Sequence, residues 1–246
     1  MDNKVNILGV HVDMVNIPEA ADKIVGFLGE QGLHKVYTPN SEIIMAAYKD
    51  EAFRNLLNNA ELLTADGIGV VYASKILGKP INERAAGYDI ACLVLEKIAG
   101  TEHSLFLFGG KPGVAEKAET ELLKRYPGLK IVGCRNGYFK PEDEADIVKE
   151  INDSGADLVF VCLGAPKQEQ WISRHADELS ARVAMGIGGS LDVFAGTAER
   201  APKFFCDHGI EWLYRLMKQP SRAGRMLALP KFAATVITRG RKYEQD

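Results

Sequence analysis

Several things are scarce or missing in this 246-residue sequence. No apolar run approaches the ~18 residues that a membrane-spanning helix needs. The first residues, Met1 to Val5, do not begin a basic region followed by an apolar core, so no secretory signal is expected. The four cysteines (Cys92, Cys134, Cys162, Cys206) form no C-x-x-C pair. A disulfide framework or a thiolate zinc site is therefore not expected, and buried thiols in a reducing cytosol are. The five histidines (His11, His34, His103, His175, His208) show no H-E-x-x-H spacing, and no Asp-x-Asp pair occurs. Neither a catalytic metal nor another cofactor is expected. The dinucleotide fingerprint G-x-G-x-x-G is absent, since Gly67-Ile68-Gly69 has no third glycine, and there is no Walker P-loop. A nicotinamide-dependent dehydrogenase is poorly supported.

What is present is an ordinary globular composition, with 46% hydrophobic and 26% charged residues and a formal charge of −3. That near-neutral total hides an asymmetry. Residues 1–198 hold 20 Lys/Arg against 28 Asp/Glu, whereas residues 199–246 hold 10 against 5. From Trp212 to Tyr243 there are eight basic residues and no acidic ones. A basic tail on an acidic body suits a polyanionic partner at one end. Nucleic acid is not expected there, because the tail lacks aromatic interleaving and any nucleic-acid motif.

Along the chain, a hairpin is expected over Val5–Val15. Apolar strands then alternate with amphipathic helices. Strands are expected at His34–Thr38, Glu61–Thr64, Ser104–Phe108, Lys130–Gly133, Asp157–Leu163 and Arg182–Ile187. Proline is expected to open helices at Pro112–Tyr126 and Pro166–Leu179. This alternation predicts an α/β, Rossmann-like parallel sheet with helices on both faces. After Gly196 the pattern changes to short helices separated by Pro202, Pro220 and Pro230. The expected division is an α/β catalytic domain over residues 1–196 and a small C-terminal helical appendage over 197–246.

In such sheets ligands bind beyond the carboxyl ends of the strands. That rule gathers Thr38, Asn40, Asp66, Gly109, Gly110, Gly137, Tyr138, Gly164, Gln168 and Asp192 on one rim. Glycines let a ligand approach the backbone, and helix N-termini offer N–H groups to phosphate. Asp66, between an apolar strand and Gly67, is either a general base or an N-cap for the next helix. Asn40 is either a site residue or a cap. Arg84 either binds an anion or lies on the surface. Gln168 is either a site residue of the rim or, with Glu169, merely a helix first turn.

The ordered motifs resemble a known family. They run through Thr38-Pro39-Asn40-Ser41-Glu42, Asp66-Gly67-Ile68-Gly69-Val70, Arg84, Gly87-Tyr88-Asp89 and Phe108-Gly109-Gly110. They continue through Gly137-Tyr138-Phe139, Leu163-Gly164-Ala165-Pro166-Lys167-Gln168-Glu169 and Gly186-Ile187-Gly188-Gly189-Ser190-Leu191-Asp192. Ala195-Gly196, Arg200-Ala201-Pro202 and Gly209-Ile210-Glu211-Trp212 complete them. The sequence is similar to the WecG/TagA/CpsF glycosyltransferases over about residues 4–230, and most similar to the TagA branch. Leu191 stands where an aromatic is common in the family, and Met226 where a basic–aromatic pattern often continues.

The resemblance implies an inverting, metal-independent transfer of N-acetylmannosamine from a UDP-sugar donor. The implied acceptor is N-acetylglucosamine linked through diphosphate to undecaprenol, for wall teichoic acid synthesis. It makes Asp66 the candidate base for the acceptor 4-hydroxyl, with Thr38 and Asn40 flanking the transfer site. Gln168 would contact the donor and Arg84 the diphosphate. Gly137, Tyr138 and Asp192 would line the uridine pocket. Arg215, Arg222 and Arg225 would fold over the donor diphosphate. The basic amphipathic tail, with Trp212, Leu213, Leu216 and Met217, would dock on an anionic membrane surface. The expected location is cytoplasmic, peripheral on the inner face of the membrane, and a homo-oligomer is compatible. The alternatives are a UDP-ManNAc uronic acid donor on the same fold, or a non-catalytic, membrane-associated nucleotide sensor.

Overall fold

In the computed structural model, residues 3–202, 204–205, 210–218 and 228–243 are described. The chain opens with an antiparallel hairpin of β1 (Lys4–Ile7) and β2 (Val10–Asp13). Helix α1 (Ile17–Phe27) follows. It starts at a reciprocal cap in which Asn16 accepts the Glu19 N–H and Glu19 accepts the Asn16 N–H.

Among the described residues six strands form the central sheet: β3 (His34–Tyr37), β4 (Leu62–Leu63), β5 (Ser104–Gly109), β6 (Lys130–Arg135), β7 (Leu158–Cys162) and β8 (Val183–Gly186). All are parallel, in the order β4-β3-β8-β7-β5-β6. The connections carry α2 (Ser41–Lys49), α3 (Glu51–Asn58), α4 (Ile68–Ile76), α5 (Gly87–Ile98), α6 (Val114–Arg125), α7 (Glu144–Asp153) and α8 (Lys167–Arg174). After β8 come α9 (Ser190–Phe194), α10 (Glu211–Lys218) and α11 (Ala228–Arg239). The expected parallel sheet covered on both faces is what the chain forms.

Successive side chains of a strand point to opposite faces, and both faces are dry here. Phe106, Phe108, Val159, Val161 and Tyr37 belong to one core, with α2, α3, α4, α7, α8 and the hairpin. Leu105, Leu107, Leu158, Phe160 and Val36 belong to the other, with α1, α5, α6 and α9. A strand buried on both sides reads as a continuous apolar run, which is why Leu105–Phe108 and Leu158–Cys162 show no alternation in sequence.

The strand order creates two crevices. β5 and β7 are neighbours, yet the chain leaves β5 toward the β6 edge and leaves β7 toward β8. β3 and β8 are also neighbours, and the chain leaves β3 toward β4 while α9 packs back on α6. Diverging connections open the space above adjacent strand ends, where ligands bind in such sheets.

Three local expectations need correction. α6 begins at Val114 rather than Pro112, because Gly113 takes a left-handed conformation and sets the helix start. α8 stops at Arg174, and the chain turns through His175, whose carbonyl accepts both Glu178 and Leu179 N–H. Pro230 does not separate helices. It sits in the first turn of α11, where its missing N–H costs no helical hydrogen bond.

α11 is an integral part of the first core. Phe232 and Val236 are buried there, and α11 packs along α4 and α2.

Candidate active site

Asp66 is placed by backbone bonds on both sides. Its N–H donates to Pro39 O at 3.2 Å, tying the end of β4 to the turn after β3. Segment 84–86 is tied along the same strand end. Ala85 N–H donates to Ala65 O at 3.0 Å, and the Thr64 hydroxyl donates to Ala85 O at 3.1 Å. Gly87, the first residue of α5, then donates its N–H to Asp66 Oδ2 at 3.3 Å. The N-cap of α4 is Gly67, with no side-chain bond. Asp66 is thus not an N-cap; its carboxylate is half-buried and turned toward the start of α5, whose dipole is positive there.

Thr38 and Asn40 come from the adjacent turn. Thr38 is buried, its hydroxyl donating to Gly186 O at 3.3 Å. It packs so closely on Gly87 that a Cβ there would lie 2.9 Å from its Oγ1, so only glycine lets α5 start against Asp66. Asn40 Oδ1 caps α2, accepting Glu42 N–H at 2.9 Å and Ile43 N–H at 3.1 Å. The capping alternative therefore holds for its oxygen, and its amide nitrogen is the atom with donor capacity left.

Arg84 is no surface residue. Its guanidinium donates to Glu211 of α10 at 2.8 Å and lies 3.8 Å from Asp89. Arg200 reaches the same Asp89 carboxylate at 2.6 Å and lies over the Tyr88 ring. Burial alone would lower the Arg84 pKa. The Glu211 hydrogen bond and the charges of Asp66, Glu211 and Asp89 outweigh it and raise it. Arg84→Met would leave these half-buried carboxylates facing one another. It is expected to cost about 2–3 kcal/mol, read as a lowered urea midpoint against wild type.

The second crevice is built by three loops. Gly109, at φ +136°, lies so close to the Cys162 carbonyl that a side chain there would collide with it. Gly110 N–H donates to Cys162 O at 3.2 Å, and Gly137 N–H donates to Gly110 O at 2.8 Å. The turns after β5, β6 and β7 are thereby stitched together. Asp192 of α9 lies near enough to Cys162 to help raise its thiol pKa, after the larger effect of burial. Beside them an open cleft of about 600 Å³ is lined by Gly137, Tyr138, Phe139, Lys140, Asp143, Leu163 and Lys167. Tyr138 is 67% exposed at its edge. The Lys167 ammonium sits 3.9 Å from the Phe139 ring centroid and donates to Gly137 O at 3.4 Å. Lys167 is a cleft residue that the sequence reading does not single out, and its place three residues past Gly164 is the signal that marks it.

Gln168 joins the two crevices. Gly164 O accepts its N–H at 2.9 Å. Its side-chain Oε1 accepts Gly188 N–H at 3.0 Å, and its Nε2 donates to Glu169 Oε1 at 2.8 Å. Both residues are buried, so this is more than a helix first turn. Burial pushes the Glu169 carboxyl pKa up, and the Gln168 bond opposes that. Among the described residues its Oε2 has no hydrogen-bond partner. An unsatisfied buried oxygen costs about 1–3 kcal/mol.

Arg222 and Arg225 lie outside the described residues, as does the side chain of Arg215 on α10. Among the described residues no group of three or more His, Cys, Asp or Glu is arranged to hold a metal ion. No helix of the described residues is long and apolar enough to cross a membrane.

Residues 5–246 match the model of the glycosyl transferase WecG/TagA/CpsF family. Among similar curated proteins is a Staphylococcus aureus (strain MRSA252) protein, 38% identical over 247 residues. The match covers 98% of this chain and 95% of that one. A Bacillus spizizenii protein is 38% identical over 202 residues, covering 82% of this chain and 78% of its own length. Both relatives are named N-acetylglucosaminyldiphosphoundecaprenol N-acetyl-beta-D-mannosaminyltransferase. With a rim of strand ends carrying the family's ordered motifs, the chain belongs to the WecG/TagA/CpsF glycosyltransferase family.

Proposed function

We propose that this glycosyltransferase moves N-acetylmannosamine from UDP-ManNAc to the 4-hydroxyl of diphosphoundecaprenol-linked N-acetylglucosamine, with inversion and without a metal. The observation that carries the reading is Asp66. It sits at a strand end between the first N–H of α5 and the field of Arg84, beside Thr38 and Asn40. A carboxylate so placed can take the proton of an attacking hydroxyl. Attack from the face opposite the leaving UDP inverts the anomeric centre, and one base suffices because no sugar–enzyme bond forms. The departing diphosphate gathers negative charge, which fixed cations and backbone N–H groups stabilise. Arg84 and the loop glycines supply part of that field. Arg215, Arg222 and Arg225 are proposed to supply the rest as a lid over the donor.

Residues 197–246 are proposed to combine this lid with docking on an anionic membrane from the cytoplasmic side. Ile237 of α11 and Tyr72 of α4 are 64% and 57% exposed, on two helices that pack together. Lys231, Lys242 and Lys75 are exposed near them in sequence. Apolar side chains flanked by lysines suit an interface with acidic lipid.

A donor panel with lipid-linked N-acetylglucosamine tests the chemistry. UDP-ManNAc is expected to be consumed and UDP-ManNAc uronic acid to be left, with the same rate in EDTA. Strict dependence on an added divalent ion, or preference for the uronate, would overturn that part of the reading.

A further inference from the structure

Glu169 is an odd residue to find where it is. It is 1% exposed, and among the described residues one of its carboxyl oxygens, Oε2, has no hydrogen-bond partner. Buried polar atoms are nearly always paired, so an orphan calls for a reason other than folding. A methionine of similar length would fill the space with no polar group to satisfy.

The reason lies in what the other oxygen holds. The two ends of a glutamine amide are nearly the same shape and differ only in giving or taking a hydrogen bond. Gln168 lies across the end of β8, where a Cβ on Gly186 would come within 2.9 Å of its Nε2. There its oxygen takes the Gly188 N–H, and its nitrogen gives to Glu169 Oε1. Gly186 O in turn takes the Thr38 hydroxyl, so this amide is one contact away from the proposed transfer site. Glu169 is itself anchored, since the Tyr37 hydroxyl donates to its carbonyl at 3.3 Å.

We propose that Glu169 is a positioning residue: its carboxyl fixes the Gln168 amide in one orientation, so that Gln168 presents a defined donor to the nucleotide-sugar while its oxygen holds the β8–α9 loop at Gly188. Glu169 does not touch the substrate. The inference rests on the proposed transfer reaction and on Gln168 contacting the donor.

A positioning role and a merely structural one predict opposite results for Glu169→Met. In the full chain, Glu169→Met is expected to keep or raise the Tm while lowering kcat/KM for the UDP-sugar about ten-fold, mostly through KM. Gln168→Ala is expected to give a similar loss. Glu169→Gln, whose amide oxygen can accept the same bond, is expected to recover most of it. The double variant Gln168→Ala/Glu169→Met is expected to be no worse than Gln168→Ala, because both changes remove one unit. Wild-type kcat/KM in Glu169→Met, a loss that follows a fallen Tm, failure of the glutamine to recover activity, or additive losses would each overturn the inference. If wild type transfers no sugar from any UDP donor, the functional reading fails and takes this one with it. If wild type transfers and Glu169→Met matches it, this inference alone fails.

Discussion

Asp66→Asn is expected to lower sugar transfer about 10²–10⁴-fold, the range over which a positioned general base contributes. The substitution is nearly isosteric. Its side-chain oxygen can still accept the Gly87 N–H, so the start of α5 stays in place. What is lost is the negative charge and the ability to take a proton. Arg84 keeps Glu211 and Asp89 as partners, so its position is also maintained. UDP affinity by calorimetry should therefore stay within a few-fold of wild type while initial rates collapse. A variant that retains a third or more of the wild-type rate would remove Asp66 from the role of base. A chain that binds UDP but has no turnover to lose would be a nucleotide sensor instead.

Deleting residues 197–246 is expected to abolish transfer, and the structure adds a second cost. Phe232 and Val236 sit in the core shared with α2 and α4. Removing them opens an apolar groove, and loss of a buried phenylalanine alone costs about 3–5 kcal/mol. The same cut takes Glu211 from Arg84 and Arg200 from Asp89. The shortened chain should thus show a lower Tm, no turnover and no co-sedimentation with anionic vesicles. Phe232→Ala separates the effects. It should lower the Tm by part of that amount, while the folded fraction still binds UDP, because Phe232 lies in the core shared with α2 and α4 and both ion pairs remain. Full activity of the deletion on a water-soluble acceptor analogue would rule out the lid. Unchanged vesicle binding would rule out docking through this segment.

How much of this was legible in sequence follows from the range of each interaction. Strand ends were readable because an apolar run stopping at Gly109 or Gly164 is a local signal. The parallel sheet then places those turns on one rim without further information. Asp66 is therefore legible as a strand-end carboxylate, but its bond from the Gly87 N–H, 21 residues away in the chain, is not. The partner of Arg84 was out of reach, since Glu211 is 127 residues distant and nothing local to either marks the pair. The shared core of α11 was hidden for a related reason. A basic, proline-punctuated tail reads as an amphipathic appendage, and nothing local in it marks Phe232 and Val236 as buried. Glu169 looked like a helix-opening acid because burial is not written in the sequence.

The hairpin has an effect on the ends of the sheet. β4 is a two-residue edge strand, and the Asp13 carboxylate at the end of β2 accepts the Leu63 N–H at 2.9 Å. Lys4 and Lys23 flank that carboxylate at 3.6 and 3.7 Å. A side chain thus occupies a backbone donor that a neighbouring strand would otherwise take. At the opposite edge β6 keeps Val132 40% exposed between Lys130 and Arg135, which pair with Glu102 and Glu150. Among the described residues, then, β4 offers a short edge with one outward donor already taken. At β6 the edge carries a register shift at Val132 together with these ion pairs, so conditions that weaken ion pairs would remove one of its two guards against cross-strand aggregation.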